Sequence, residues 1–192
     1  MSNDMEIEAK MLLTEDEYNK IAIHLIRKHP RVMDQTNYYL DTKDFKLSKY
    51  GLALRIREID HSYELTLKAP LSEGLLEKST PLTPKQFKDI SNDINEPNPT
   101  FDFLKVLGFD IDQIHIICSL NTYRIEIDYE DGLLCIDKNK YGDKIDYEIE
   151  MESDSMQHAI SKMKQFLEEA QVEFHELNHV SKHRRAMNEI LK

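Results

Sequence analysis

Glu6-Ile7-Glu8-Ala9-Lys10 alternates charged side chains with apolar or small ones, and a period of two is the mark of a strand. Glu6, Glu8 and Lys10 then project from one face, Ile7, Ala9 and Met11 from the other. Alone, this stretch fits an edge strand with its charged side in water. The pattern recurs, however. Leu54 and Ile56 alternate with Arg55 and Arg57, and Leu65 and Leu67 with Glu64, Thr66 and Lys68. Tyr123, Ile125 and Ile127 alternate with Arg124, Glu126 and Asp128, and Glu148, Glu150 and Glu152 share a face of the run 145–152.

Between these runs the sequence predicts helices. Thr14 followed by Glu17 is a capping box that opens a helix to about His29, with Ile21, Leu25 and Ile26 as its apolar stripe and Pro30 as its stop. Asp60-His61-Ser62 and Glu130-Asp131-Gly132 read as hairpin turns, and Asn139 to Asp143 as a further turn. Thr83-Pro84 starts a helix through about Ile94, and Phe101 to Leu107 is a short helix ended by Gly108. Asp154 caps a long amphipathic helix ending near Ala170, and Ser181-Lys182-His183-Arg184-Arg185 lies on a last helix. The chain is β-rich, with about eight strands as in the smaller closed barrels. No linker divides it, so residues 1–192 are expected to form one domain.

Composition narrows the function classes. The net charge of −11 over 192 residues opposes broad duplex nucleic-acid binding. No apolar run approaches the roughly 20 residues of a membrane span. Cys118 and Cys135 lack metal-ligand spacing and the N-terminus lacks a signal peptide, so they are read as reduced thiols of a cytoplasmic protein.

Outward-facing charges would make the usual solvated face of a sandwich. Two features favour the inward orientation. The apolar faces are mid-sized aliphatics that amphipathic helices can cover, and the charged faces mix both signs and are rich in arginine. The expected fold is therefore α+β: an eight-stranded antiparallel β-barrel, or tunnel, with a charged interior and helices packed on the outside. Two carboxylates about 4 Å apart repel by roughly 4 kcal/mol at an effective dielectric near 20. An interior holding Glu6, Glu8, Glu148 and Glu150 must protonate some of them or bind cations. Carboxylate oxygens suit Mg²⁺ or Mn²⁺ and not zinc. Arginine forks on the neighbouring strands fit phosphate oxygens. A polyphosphate carrying a divalent metal satisfies both sets.

Glu6-x-Glu8-x-Lys10, Tyr39-Leu40-Asp41-Thr42, Gly51-Leu52-Ala53-Leu54-Arg55-Ile56-Arg57, Glu64-Leu65-Thr66-Leu67-Lys68, Tyr147-Glu148-Ile149-Glu150 and Ser181-Lys182 together resemble, in order, the CYTH or triphosphate tunnel metalloenzyme family. The resemblance implies that Lys10, Arg55, Arg57, Lys68, Arg124 and Lys182 hold phosphates, with Arg185 a further candidate. It implies that Glu6, Glu8, Glu148 and Glu150 bind metal, with Asp137 contributing, and that Glu148, Glu150, Lys10 and Arg57 serve catalysis. Because Glu148, Glu150 and Glu152 share a face, the metal pair could instead be Glu150 and Glu152. The implied activity is hydrolysis of a triphosphate, inorganic triphosphate first, with thiamine or nucleoside triphosphate as the other small-molecule substrates. A binding module without turnover and an adenylyl cyclase are the alternatives. Met1 to Met5 lack the His-Phe that family cyclases tend to carry there, and the strand around Glu77 and Ser79 has fewer carboxylates than relatives often do, which bears on any second metal.

One rival motif is present. His175-Glu176-Leu177-Asn178-His179 matches the H-E-x-x-H zinc pattern literally, but that chemistry needs a helix presenting both imidazoles. Val172, Phe174 and Leu177 give no such face, and a chance match is the expectation.

Overall fold

The structure, a computed structural model, describes the backbone of residues 2–72, 75–92 and 97–190 and the side chains of 7–72, 75–92 and 97–189. The chain divides into two compact units, one of residues 1–5, 35–120 and 190–192 and one of residues 6–34 and 121–189.

The opening run is two strands, β1 (Ser2–Glu6) and β2 (Glu8–Leu13). They precede α1 (Glu15–Ile26), β3 (Arg31–Thr42), α2 (Lys46–Lys49), β4 (Ala53–Ile59), β5 (Ser62–Pro70) and β6 (Leu75–Leu82). α3 (Pro84–Asn92) and α4 (Pro99–Val106) lead to β7 (Ile114–Tyr129), β8 (Gly132–Tyr141) and β9 (Lys144–Glu152), and α5 (Met156–Glu169) and α6 (Lys182–Ile190) close the chain. The class is α+β and the strands pair antiparallel. β3 and β7 each pass from one unit into the other.

In the first unit β6, β5, β4 and β3 are neighbours in that order, with β1 beside β6. Register places Tyr39, Arg55, Thr66 and Ser79 in one row, with Asn37, Arg57 and Glu64 in the next. Residues directly opposite share a face, so one face of this sheet is polar. The other carries Leu40, Leu54, Ile56, Leu65 and Leu67, which pack with Ile90 of α3 and Phe101 and Leu104 of α4. Asp41, 1 % exposed, has a structural role: its carboxylate accepts from the amides of Thr42, Leu47 and Ser48 and from the Ser48 hydroxyl. The amides of Leu47 and Ser48 belong to α2, so Asp41 at the end of β3 holds this short helix in place.

In the second unit β7, β8, β9 and β2 are neighbours. Ala9, Met11, Ile136, Ile149 and Met151 form the apolar face, covered by Ile21 and Leu25 of α1 and Met163, Phe166 and Leu167 of α5. Each such side chain fully buried stabilises the fold by roughly 1.5–3 kcal/mol. The Thr14 capping box is present. Ile26, expected in the stripe of α1, is 68 % exposed: the buried stripe is Tyr18, Ile21 and Leu25, and Ile26 stands about 100° round the helix from Leu25. Ser155, not Asp154, caps α5, accepting from the His158 amide; Asp154 instead meets the His158 ring. β8 runs on through Asn139 to Tyr141, so the turn there is tighter than expected. Gly132 is obligatory at its hairpin because a Cβ would stand 2.4 Å from the Glu152 carbonyl oxygen. The two cysteines are free thiols, and burial pushes that of Cys118 up to about 11. Among the described residues no helix is long and apolar enough to cross a membrane.

Candidate functional site

The polar face of the second unit is built by register alone. Arg124, Asp137 and Glu148 stand opposite one another on β7, β8 and β9; Cys135, Glu150 and Lys10 do so on β8, β9 and β2. Alternation therefore brings three carboxylates to the middle of the face, and Asp137, Glu148 and Glu150 offer oxygens all within 4.8 Å of one another. Asp137 and Glu148 are wholly buried and Glu150 nearly so.

Three buried carboxylates need compensation. Arg124 donates its Nε to Asp137 Oδ1 at 2.8 Å and its Nη2 to Asp137 Oδ2 at 2.7 Å and Glu150 Oε2 at 2.6 Å. Lys182, from the first turn of α6, sets its Nζ 2.7 Å from Asp137, 2.9 Å from Glu148 and 2.8 Å from Glu150. An ammonium has three protons to donate, and here each has a carboxylate. Burial works to raise the Glu150 carboxyl, yet Lys182, Arg124 and Lys10 hold it well below the usual carboxylate range. Burial likewise opposes the charge of Lys182 and of Arg124, and the carboxylates raise both well above their ordinary values. For Lys10, burial is outweighed by Glu8 and Glu150, and its ammonium pairs with Glu8.

One oxygen is left over. Glu148 Oε2 is buried and has no hydrogen-bond partner among the described residues, although Oε1 of the same carboxylate receives Lys182, Arg185 and Asn139. A buried lone pair without a donor is costly unless a cation takes it. With three clustered carboxylates, this oxygen makes the triad a fit for a hard divalent ion bound through oxygen.

The expected metal ligands thus separate. Asp137, Glu148 and Glu150 come together, whereas Glu8 is held by Lys10 and the Glu6 side chain lies outside the described residues. Glu152 stands opposite Glu8 and Leu133, beyond the triad, so the two β9 glutamates that cluster with Asp137 are Glu148 and Glu150. Arg124 and Lys182, expected to hold phosphates, are paired here with the carboxylates of this cluster. Arg185 is beside it but occupied by Asp146 (2.8 and 3.2 Å) and by Glu148 (3.0 Å). Asp146, Asn139, Thr122 and Tyr141 escaped the reading of the sequence. The first three continue the polar row by one more step of the same alternation, with Thr122 donating to Asn139 Oδ1 at 2.8 Å and Asn139 Nδ2 3.1 Å from Asp146.

The polar face of the first unit is cationic and hydroxylic. Arg55 and Arg57 are half-buried on β4, and Lys68 of β5 pairs with Glu77 of β6. Arg55 Nε is buried without a hydrogen-bond acceptor among the described residues. Thr66 and Ser79 face each other with their hydroxyl oxygens 2.9 Å apart.

The H-E-x-x-H match holds no such centre. Residues 172–180 form neither helix nor strand; His175 Nε2 lies 2.6 Å from Glu17, and the Asn178 amide donates to the Lys10 carbonyl at 2.7 Å. The segment is a strap along β2.

The fold and this face define an α+β protein whose antiparallel strands bury matched charges where most bury aliphatics. The chain belongs to the CYTH domain family, whose profile matches residues 4–183. It is 40% identical over 153 residues, 80% of each chain, to a Bacillus subtilis protein named "Putative triphosphatase YjbK". Among solved structures, a "putative adenylate cyclase" from Bacillus halodurans is 33% identical with a TM-score of 0.83, covering 96% of this chain and 98% of that one. A Hippeastrum adenylyl-cyclase-like protein, described as having a dominant triphosphatase activity, has the same fold at 23% identity, a TM-score of 0.82 and 96% coverage of each chain.

Proposed function

We propose that the protein is a divalent-metal-dependent triphosphatase that acts on a small-molecule triphosphate, inorganic triphosphate first. The observation that carries this reading is the buried Asp137–Glu148–Glu150 triad with its spare Glu148 Oε2. The Bacillus subtilis relative's name points to the same activity.

Asp137, Glu148 and Glu150 would hold Mg²⁺ or Mn²⁺, with Glu6 and Glu8 as further ligands by family resemblance. Such an ion supplies charge neutralisation and acidifies water. Glu150, kept ionised by Lys182, Arg124 and Lys10, is ready as a ligand and weak as a base. Arg55, with its unmet buried Nε, and Arg57, Lys68, Lys10, Arg124 and Lys182 would take the phosphate oxygens. Arginine forks and ammoniums there stabilise the charge on the transferring phosphoryl group. A water oxygen bonds to the terminal phosphorus as the bridging P–O bond breaks, a water proton passes to the phosphate oxygens of the products, and orthophosphate and pyrophosphate leave. By family resemblance Lys10 and Arg57 would serve catalysis together with Glu148 and Glu150.

The test is phosphate release from tripolyphosphate, thiamine triphosphate and ATP with Mg²⁺ or Mn²⁺, beside Glu148→Gln. Metal-dependent release that the variant loses is the expected result. Tight tripolyphosphate binding without release would replace the hydrolase by a binding module. Release of cyclic AMP from ATP would make it a cyclase.

A further inference from the structure

Family resemblance puts Arg185 among the phosphate ligands, but its surroundings leave it little to offer. Its Nε and Nη2 grip Asp146 at 2.8 and 3.2 Å, Nη2 also lies 3.0 Å from Glu148 Oε1, and Nη1 donates to the Val180 carbonyl at 2.9 Å. Four of the guanidinium's five N–H groups are thereby committed, and the side chain is 8% exposed. Asp146 is fixed in turn by the Tyr141 hydroxyl at 2.5 Å and by Asn139 Nδ2 at 3.1 Å. Asn139 also donates to Glu148 at 3.0 Å, so the same layer orients a triad carboxylate.

Arg185 stands three residues after Lys182 on α6, one turn along and on the same side. Fixing Arg185 on the sheet fixes the first turn of α6, and with it the Lys182 ammonium. That ammonium donates to all three carboxylates that would hold the metal. An ammonium and a divalent cation cannot share one small carboxylate cluster without strong repulsion.

We propose that Arg185 is a positioning residue: locked on Asp146, it sets α6 so that the Lys182 ammonium fills the Asp137–Glu148–Glu150 cluster until metal and triphosphate bind together. The inference rests on the metal-site reading above. Metal alone must displace Lys182 against the hold of Arg185, whereas a triphosphate offers the departing ammonium new oxygens. Metal and triphosphate therefore strengthen each other's binding, and linkage makes that coupling reciprocal.

The experiment is a Mn²⁺ titration of the full chain without triphosphate, for the unaltered protein, Lys182→Met, Arg185→Gln and the double variant, each checked for fold by circular dichroism. Lys182→Met is expected to tighten Mn²⁺ by about tenfold. Arg185→Gln tightens it in the presence of Lys182 and has little effect in the Lys182→Met background, the non-additivity of residues acting as a unit. The same factor in both backgrounds would mean that Arg185 acts only through its own charge on Glu148, and overturns the proposal. So would unchanged Mn²⁺ affinity in both backgrounds with weakened tripolyphosphate binding, the behaviour of a phosphate ligand. If Arg185→Gln does not fold, Asp146→Asn weakens the same lock while keeping all three triad carboxylates, and its effect must also vanish in Lys182→Met. Absence of Mn²⁺ binding in every variant defeats the metal site and this inference together. The expected Mn²⁺ pattern without phosphate release defeats the hydrolase alone and leaves the positioning role standing.

Discussion

The polar faces of the two units share one backbone plan and differ in their charge balance. In the second unit Asp137, Asp146, Glu148 and Glu150 meet Arg124, Lys182, Arg185 and Lys10 in a nearly closed network, with Glu148 Oε2 left over. In the first unit Arg55, Arg57 and Lys68 stand with hydroxyls and fewer acids, and a buried guanidinium donor is left over. Among the described residues one face leaves a carboxylate oxygen unmet, and the other a guanidinium nitrogen and the Asn37 amide oxygen. Alternation creates both, and the identity of the residues at every second position decides which ligand each seeks.

The largest effect expected from this contrast is on stability in the second unit. Glu150→Ala strands parts of Lys182, Arg124 and Lys10, and breaking a buried network of this kind costs about 3–5 kcal/mol; urea unfolding measures it. Arg55→Ala should do the reverse, leaving stability within about 1 kcal/mol while weakening tripolyphosphate by about tenfold to a hundredfold, the loss of a charge-assisted hydrogen bond. Equal destabilisation by both variants would erase the distinction between the faces. Next comes the Thr66–Ser79 pair. Thr66→Val leaves the Ser79 hydroxyl buried without its partner, at about 1–3 kcal/mol, whereas Thr66→Val with Ser79→Ala is expected to be nearly neutral.

The smallest effect lies in the strap. His175 pairs with Glu17, and that hydrogen bond raises the imidazole's pKa against the opposing effect of burial. A raised folded pKa stabilises fully below the unfolded value near 6.5 and is lost as pH rises through the folded value. His175→Gln should therefore lower Tm at pH 6 and not at pH 9, by less than about 1 kcal/mol because the pair is half exposed. A difference that grows with pH would contradict the pairing.

Much of this was legible without coordinates. Strand alternation identified the polar faces, the capping box located α1, and the ordered motifs carried the family. What escaped had physical reasons. Asn139 lay where a turn was expected, because turn-forming residues there are overridden by pairing of β8 with β9, and Asp146 lay in a strand whose glutamates alone were singled out. Asp41, part of a recognised motif, turned out to be a cap for α2, a role that depends on where residues 47 and 48 return.

Periodicity by itself determined which side chains share a face, since a strand allows only two choices per residue. It also determined that acids and cations would be mixed there. Only tertiary structure decided the pairing: that Glu148 and not Glu152 joins Asp137, that Lys182 arrives among them from a helix over thirty positions along the chain, and that Arg185 is committed to Asp146. Such choices depend on register and on the docking of α6, which are long-range contacts that no local pattern encodes.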